Sequence, residues 1–344
     1  MIYVNLLIIF IFLIFIHELG HYVAARFFRV KVTDFSIGFG KPVFSFIDKY
    51  NTNWKFSLIP LGGYVRIKGL ENLFSQQKKL NFDKDSFLSL NLFKKIIILI
   101  AGSFFNILSA WLCLFIILFF FGIAIFSPEV GKVITNSPAE NNDIRVGDII
   151  AQVNNYKIDQ FSDISKALDN RDIISIDIIR NNKLITKKFQ LEYNSDLKRY
   201  IIGISSNNTP EIEYFSFKKS FIQSILFIPN YYYATYDHLK KSINNNTLSS
   251  DLAGPIGVVK MADNLMLDKI KGILVIFIMI SLFVAIFNLL PIPLLDGGHI
   301  IYFTLRAIFS NTLPDIVTRI YLAVGITIIS FLFIIITFND IFYK

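Results

Sequence analysis

The sequence is poor in cysteine, in histidine and in charge. One cysteine, Cys113, stands in an apolar run. An intrachain disulfide is therefore excluded, and cysteine usage says nothing of the redox compartment. Charged residues make up 17% of the 344, against roughly 25% in ordinary soluble domains, which argues against a wholly water-soluble protein. No basic stretch precedes the first apolar run and no small-residue cleavage site follows it. That run reads as a retained span and not as a secretory leader. Internal repeats and low-complexity tracts are lacking too. The net charge of +8 is read as setting orientation in a membrane, and no nucleic-acid partner is expected.

What is present is apolar length. Hydrophobic residues are 53% of the chain and the mean hydropathy is +0.53. Four stretches are long enough to cross a bilayer core of roughly 30 Å: residues 2–28, 96–126, 270–290 and 317–338. The expected fold is a polytopic α-helical membrane protein with four transmembrane helices. Between spans one and two, residues 29–95 carry Gly38, Gly40, Pro42, Pro60, Gly62 and Gly63 around alternating Trp54, Phe56 and Leu58. This pattern predicts a membrane-associated β segment. Residues 127–205 predict a compact α+β domain: a strand over 130–135, a short helix from Ser137-Pro138-Ala139, a turn at 145–148 before a strand over 149–153, a helix over 161–168, and a hairpin about Asn181-Asn182. Residues 206–269 read as surface helices and linker. Within them 216–243 is helical, basic and aromatic, as in helices that lie on a membrane, with Pro229 expected to kink or divide it.

Orientation follows from the basic residues. Arg26, Arg29 and Lys31 follow span one, and Lys94 and Lys95 precede span two. The positive-inside rule places 29–95 in the cytosol. Parity then places the 127–269 region and both termini outside, and makes spans one and three parallel.

Against this background the histidines matter, because the chain has only four. Two of them form His17-Glu18-Leu19-Gly20-His21, an H-E-x-x-H pattern. Residues four apart share one helix face, so both imidazoles can bind one ion. Glu18 can then serve a metal-activated water as general base. The pattern by itself arises by chance, but here it lies inside a span, where each charged side chain costs on the order of 2.5–3.5 kcal/mol. About 16 residues precede His17, roughly 24 Å of helix, which puts the metal within the bilayer. A catalytic zinc takes a third protein ligand. Asp296 is the best candidate, in Asn288-Leu-Leu-Pro291-Ile-Pro293-Leu-Leu-Asp296-Gly297-Gly298, where the prolines break span three and the glycines permit a tight turn. Glu71 is a weaker rival ligand; His299 is another, though three residues past Asp296 it is read as filling a polar or structural place. Asn288 either bonds a substrate backbone or stabilises the tetrahedral oxyanion, or else makes a helix-capping or interhelical contact.

These residues resemble the site-2 protease family of intramembrane metalloproteases. The resemblance rests on His17 to His21, Gly62-Gly63-Tyr64-Val65, Gly254-Pro255-Ile256-Gly257 and Asn288 to Gly298, in that order along almost the whole chain. It implies that His17, His21 and Asp296 bind zinc and that Glu18 is the catalytic base. It implies that Asn288, with Gly62 and Gly63 in a re-entrant β-structure, binds an extended substrate strand. It implies a PDZ-like domain over 127–205, outside the cytoplasm. The members nearest in motif order carry two such domains, and this chain has room for one.

The expected activity is hydrolysis of peptide bonds within the membrane segments of single-span proteins already trimmed outside, such as anti-sigma factors, or of remnant signal peptides. The setting is a bacterial inner membrane. Two rivals stand beside it: a non-catalytic PDZ membrane scaffold, opposed by the intact Glu18, and a metal transporter, opposed by spans two and four being nearly free of ionisable groups.

Overall fold

The computed structural model describes residues 2–70, 83–168, 172–194, 199–206, 209–244, 269–309 and 315–342. The chain divides into two units, Met1–Ile117 with Lys218–Lys344, and Leu118–Phe217. Among the described residues four helices are long and apolar enough to cross a membrane. A helix suits that medium because it satisfies its own backbone hydrogen bonds.

In the first unit α1 (Ile2–Phe27) carries the H-E-x-x-H segment. It crosses α2 (Leu92–Ile116), which opens on Asn91, whose side chain accepts from the Lys94 N–H at 3.0 Å. Gly20 allows the crossing to be close. A Cβ there would lie 2.3 Å from the Ala101 carbonyl oxygen, and small residues are what let membrane helices touch backbone to backbone. The third apolar helix, α6, spans Lys269–Asn288.

Between α1 and α2 lie β1 (Val32–Ile47) and β2 (Asn53–Ile67). Both strands fold back on themselves. Residues 32–37 pair with 63–67 on one side and with 53–56 on the other, while 44–47 also pair with 53–56. The result is a four-ribbon mixed sheet: 34–37 and 53–56 run parallel at its centre, each outer ribbon is antiparallel to its neighbour, and among the described residues 63–67 lies along one edge. The bends fall where the sequence permits positive φ: Gly38 and Gly40 at +86° and +89°, and Gly62 at +114°. The hairpin end is tied to α1 through Asp48. Its carboxylate accepts from the Tyr50 and Thr52 N–H groups, from Trp54 Nε1 at 3.0 Å and from the Tyr22 hydroxyl at 2.9 Å. Tyr22 is the residue after His21, so the sheet is fixed against the turn of α1 that carries the motif.

Several expectations need correction. The second span was expected to run to 126. The helix instead passes through a wide turn at Ile117–Phe121 and ends at Gly122, whose φ is +64°. The next residues form β3 (Ile123–Ile125), which pairs with Glu211–Glu213. Residues 291–316, read as a loop, contain helix α7 (Asp296–Ile308), followed by α8 (Asp315–Phe342). Gly297 and Gly298 are helical and do not make the turn. They are needed because a Cβ on either would fall 2.1–2.2 Å from the carbonyl oxygens of Leu289 or Ile292. The turn uses Leu294 at φ +76°, an uncommon conformation for a branched side chain. Pro229 does not divide α5 (Phe217–Asn244). It removes one helical hydrogen bond, and the turns on either side are held by Phe221 edge-on to Trp111 and by the Tyr232 hydroxyl donating to the Leu282 carbonyl at 3.1 Å.

The second unit is built on a four-stranded antiparallel sheet. Its order is β6 (Tyr156–Lys157), β5 (Ile149–Val153), β7 (Ile173–Arg180), β8 (Lys183–Gln190). Asn181 and Asn182 join β7 to β8 with φ of +50° and +59°, the left-handed pair that suits the twist of a two-residue hairpin. Val130 on β4 (Val130–Val133) and Ile150, Ile174, Ile176 and Ile178 form a closed core. The helices α3 (Pro138–Asn141, capped by Ser137) and α4 (Phe161–Ala167) pack on it.

Candidate active site

His17 and His21 lie one turn apart on α1, and α7 begins at Asp296. Their ligand atoms form a nearly equilateral triangle. His17 Nε2 and His21 Nε2 are 3.2 Å apart, and each is 3.4 Å from Asp296 Oδ2. Tetrahedral zinc with bonds of about 2.0–2.1 Å separates its ligand atoms by about 3.3–3.4 Å, so the donor set fits that ion. Two further observations agree. Asp296 Oδ2 is buried without a hydrogen-bond partner, a costly state that a cation would relieve. Gly102 on α2 leaves the space open, since a Cβ there would lie 2.4 Å from His21 Nε2 and 2.7 Å from His17 Cε1.

The imidazoles are held from behind. His21 Nδ1 is 2.8 Å from the Ile98 carbonyl. A carbonyl can only accept, so Nδ1 carries the proton and Nε2 turns its lone pair into the space between the three candidate donor atoms. Asp296 is held by the proline-broken end of α6, with Leu295 as the extended residue before α7.

The other predicted residues converge on the same space. A cavity of about 460 Å³ is lined by His17, Glu18, His21, Gly62, Gly63, Asn288 and Asp296, within the range of about 300–1,000 Å³ of ligand sites. Glu18 faces the edge ribbon of β2. Gly63 approaches so closely that a Cβ would stand 3.4 Å from Glu18 Cγ and 2.7 Å from Ile14, and the Val65 backbone N–H is within bonding reach of the Glu18 carboxylate. The Asn288 amide nitrogen is 3.4 Å from His17 Nε2. His299, expected to be structural, also lines the cavity, with Nδ1 3.2 Å from the Tyr321 hydroxyl. Glu71 and Gly254-Pro255-Ile256-Gly257 lie outside the described residues.

Sequence reasoning missed the part played by α2. Ile98, Gly102 and Asn106 are four residues apart and share the face turned toward the histidines. The signal was present as an amide in the middle of an apolar span, a placement that usually has a reason.

The model of peptidase family M50 matches residues 5–332. Among curated proteins the chain is 35% identical to a protein of Campylobacter jejuni named as a zinc metalloprotease, over 96% of this chain and 90% of that one. It is 32% identical to a zinc metalloprotease, so named, of Rickettsia conorii, over 96% of this chain and 95% of the other. It is also 32% identical to one from Helicobacter pylori strain J99, over 96% of each.

Proposed function

We propose, from the premise that this chain belongs to peptidase family M50 and is a zinc metalloprotease, that it cleaves peptide bonds inside the membrane, with zinc held by His17, His21 and Asp296. The triangle of donor atoms at 3.2–3.4 Å, set among membrane-length helices, carries this reading. Zinc supplies Lewis acidity, activating water at neutral pH and polarising the scissile carbonyl.

The chain's own residues do the rest. Glu18 takes the proton from the attacking water and returns it to the leaving amine. Asn288, beside His17, donates its amide N–H to the carbonyl oxygen as charge develops there. A membrane helix hides its peptide bonds, so the substrate must be extended before attack. Among the described residues the edge ribbon 63–67 pairs on one side only, with 32–37, and it lies against Glu18, which suits it to receive a substrate strand by edge addition. Gly62 and Gly63 let that ribbon approach α1.

The basic residues flanking α1 and α2 favour a cytosolic position for the β1–β2 sheet. The Leu118–Phe217 unit and both termini then lie outside a bacterial inner membrane. The small antiparallel sheet with two short helices suits that unit to a PDZ-like role in admitting substrates. The proposed substrates are single-span proteins trimmed outside, of the anti-sigma-factor kind, and remnant signal peptides.

The test is to trap substrates with Glu18→Gln in the native membrane and identify them by mass spectrometry. Single-span segments and signal-peptide remnants should accumulate bound to the variant and be cut when wild-type protein is added. Undiminished cleavage by zinc-loaded Glu18→Gln in liposomes would remove Glu18 from its role, and with it this mechanism.

A further inference from the structure

Asn106 is fully buried in the middle of α2. Its main chain is well used. The backbone carbonyl accepts from Ser109 Oγ at 2.8 Å and from Ser281 Oγ of α6 at 2.9 Å. Its side chain is not. The amide nitrogen stands 3.3 Å from His17 Nδ1, and the amide oxygen is buried without a partner.

That arrangement conflicts with a ligating His17. A neutral imidazole has one donor and one acceptor nitrogen. If Nε2 faces the ion beside Asp296 and His21, Nδ1 carries the hydrogen, and two donors then meet at 3.3 Å. Turning the Asn106 amide by half a revolution exchanges its oxygen and nitrogen, which have nearly the same shape. The orphaned oxygen then accepts from His17 Nδ1–H, and both faults vanish together. His21 already has the equivalent partner, since its Nδ1 is 2.8 Å from the Ile98 carbonyl. Ile98 and Asn106 are two helical turns apart on α2, with Gly102 between them clearing room for both rings.

We propose that Asn106 is the positioning residue of His17: its side-chain oxygen accepts from His17 Nδ1–H, fixing the tautomer and ring plane that present Nε2 to zinc. This rests on the reading of His17 as a ligand. A single face of α2 thereby orients both histidines of α1, one through a main-chain carbonyl and one through a side chain.

The test measures zinc affinity by chelator competition on full-length protein in detergent. Asn106→Leu removes the acceptor at similar size and should weaken zinc by about 10–100-fold, as loss of an outer hydrogen bond does. Asn106→Asp keeps an acceptor and should restore affinity to within a few-fold. The cobalt-substituted absorption spectrum should shift in the leucine variant and return in the aspartate variant. Equal weakening by both, or by neither, would overturn the proposal. His17→Ala is the control for the underlying reading: if it keeps zinc at wild-type affinity, His17 is no ligand and the failure lies there. Should the leucine variant not fold, nitrogen-15 spectra of histidine-labelled, zinc-loaded wild type decide. A protonated, slowly exchanging Nδ1 on His17 supports the proposal, and a protonated Nε2 overturns it.

Discussion

The two units differ in how completely their buried polar groups are met. In the Leu118–Phe217 unit Asp148 is 1% exposed, yet its carboxylate receives Arg180 Nε and the terminal guanidinium nitrogen at 2.7–2.8 Å and the Arg145 N–H at 2.8 Å. Ser137 and Asp163 are likewise bonded. In the membrane unit Ser103 Oγ, Asn106 Oδ1, Trp111 Nε1, Asp296 Oδ2 and Thr337 Oγ1 are buried with no hydrogen-bond partner, and no such atom occurs in the other unit among the described residues. Lipid offers no water to meet these groups, so leaving them unmet costs more there than in a soluble fold. Two of the five surround the histidines. Asn106 Oδ1 is met once its amide turns toward His17, which leaves Asp296 Oδ2 as the one of the two that a bound cation would satisfy.

The largest effect that tests this contrast belongs to Glu18. Glu18→Gln should lower cleavage of a reconstituted single-span substrate by about 10²–10⁴-fold, the usual contribution of general acid–base catalysis, with zinc retained. Loss of zinc together with activity would make Glu18 a part of the metal cradle and not the base. Asp296→Asn sharpens the contrast next. Zinc affinity should fall by more than the roughly 10–100-fold of an outer-shell change. Without zinc Asp296 stands 3.4 Å from both histidines, a contact the asparagine amide can replace with a hydrogen bond, so the zinc-free variant should melt within a few degrees of zinc-free wild type. A larger drop in melting temperature without zinc would mean that Asp296 serves the fold and not the ion.

That His17, His21 and Asp296 come together was readable because the signals are local in sequence. His17 to His21 needs only helical spacing, and Asp296 follows two prolines that must break a helix. The four apolar runs were visible for the same reason, as was the Asn181-Asn182 hairpin. What could not be read depends on contacts between distant segments. Gly297 and Gly298 looked like turn residues, but carbonyls of residues 289 and 292 decide their use. The end of α2 at Gly122 is set by β3 finding residues 211–213. Asn106 is legible only once α2 is known to lie behind His17.

Gly102→Ala is a smaller test, with opposite signs from local and tertiary reasoning. By helix propensity alone alanine should stabilise α2 by about 1 kcal/mol. The added methyl would stand within 2.4–2.8 Å of both histidine rings, so zinc affinity should drop by about tenfold or more while α2 stays helical by circular dichroism. Unchanged zinc binding would show that the rings can move aside and that the cradle is not tight.

The last comparison lies in the other unit, where among the described residues every buried side-chain polar atom has a hydrogen-bond partner. Burial disfavours the charged form of Asp148, but its bonds from Arg180 and the Arg145 N–H outweigh this and hold its carboxyl below the ordinary carboxylate range. The neighbouring Asp143 is held at about 2 by Arg145 and Arg180. A carboxyl depressed in the folded state stabilises above its unfolded pKa of about 3.9, and the contribution disappears as pH falls through the folded value. Arg180→Met leaves Asp148 buried against one N–H. Because Arg180 is itself 19% exposed, the loss at pH 7 should be about 2–3 kcal/mol, below the roughly 3–5 of a fully buried pair. Hydrogen-exchange protection of β5 and β7 in the full chain, each sample labelled at one fixed pH after incubation across pH 7 to 3, measures it. The gap between wild type and variant should narrow as the pH falls, since protonation of Asp148 removes the charge that Arg180 neutralises. A gap that stays constant with pH would assign the effect to packing of the Arg180 stem. The inserted unit would then owe its stability to shape, and the contrast with the membrane unit would no longer be one of charge pairing.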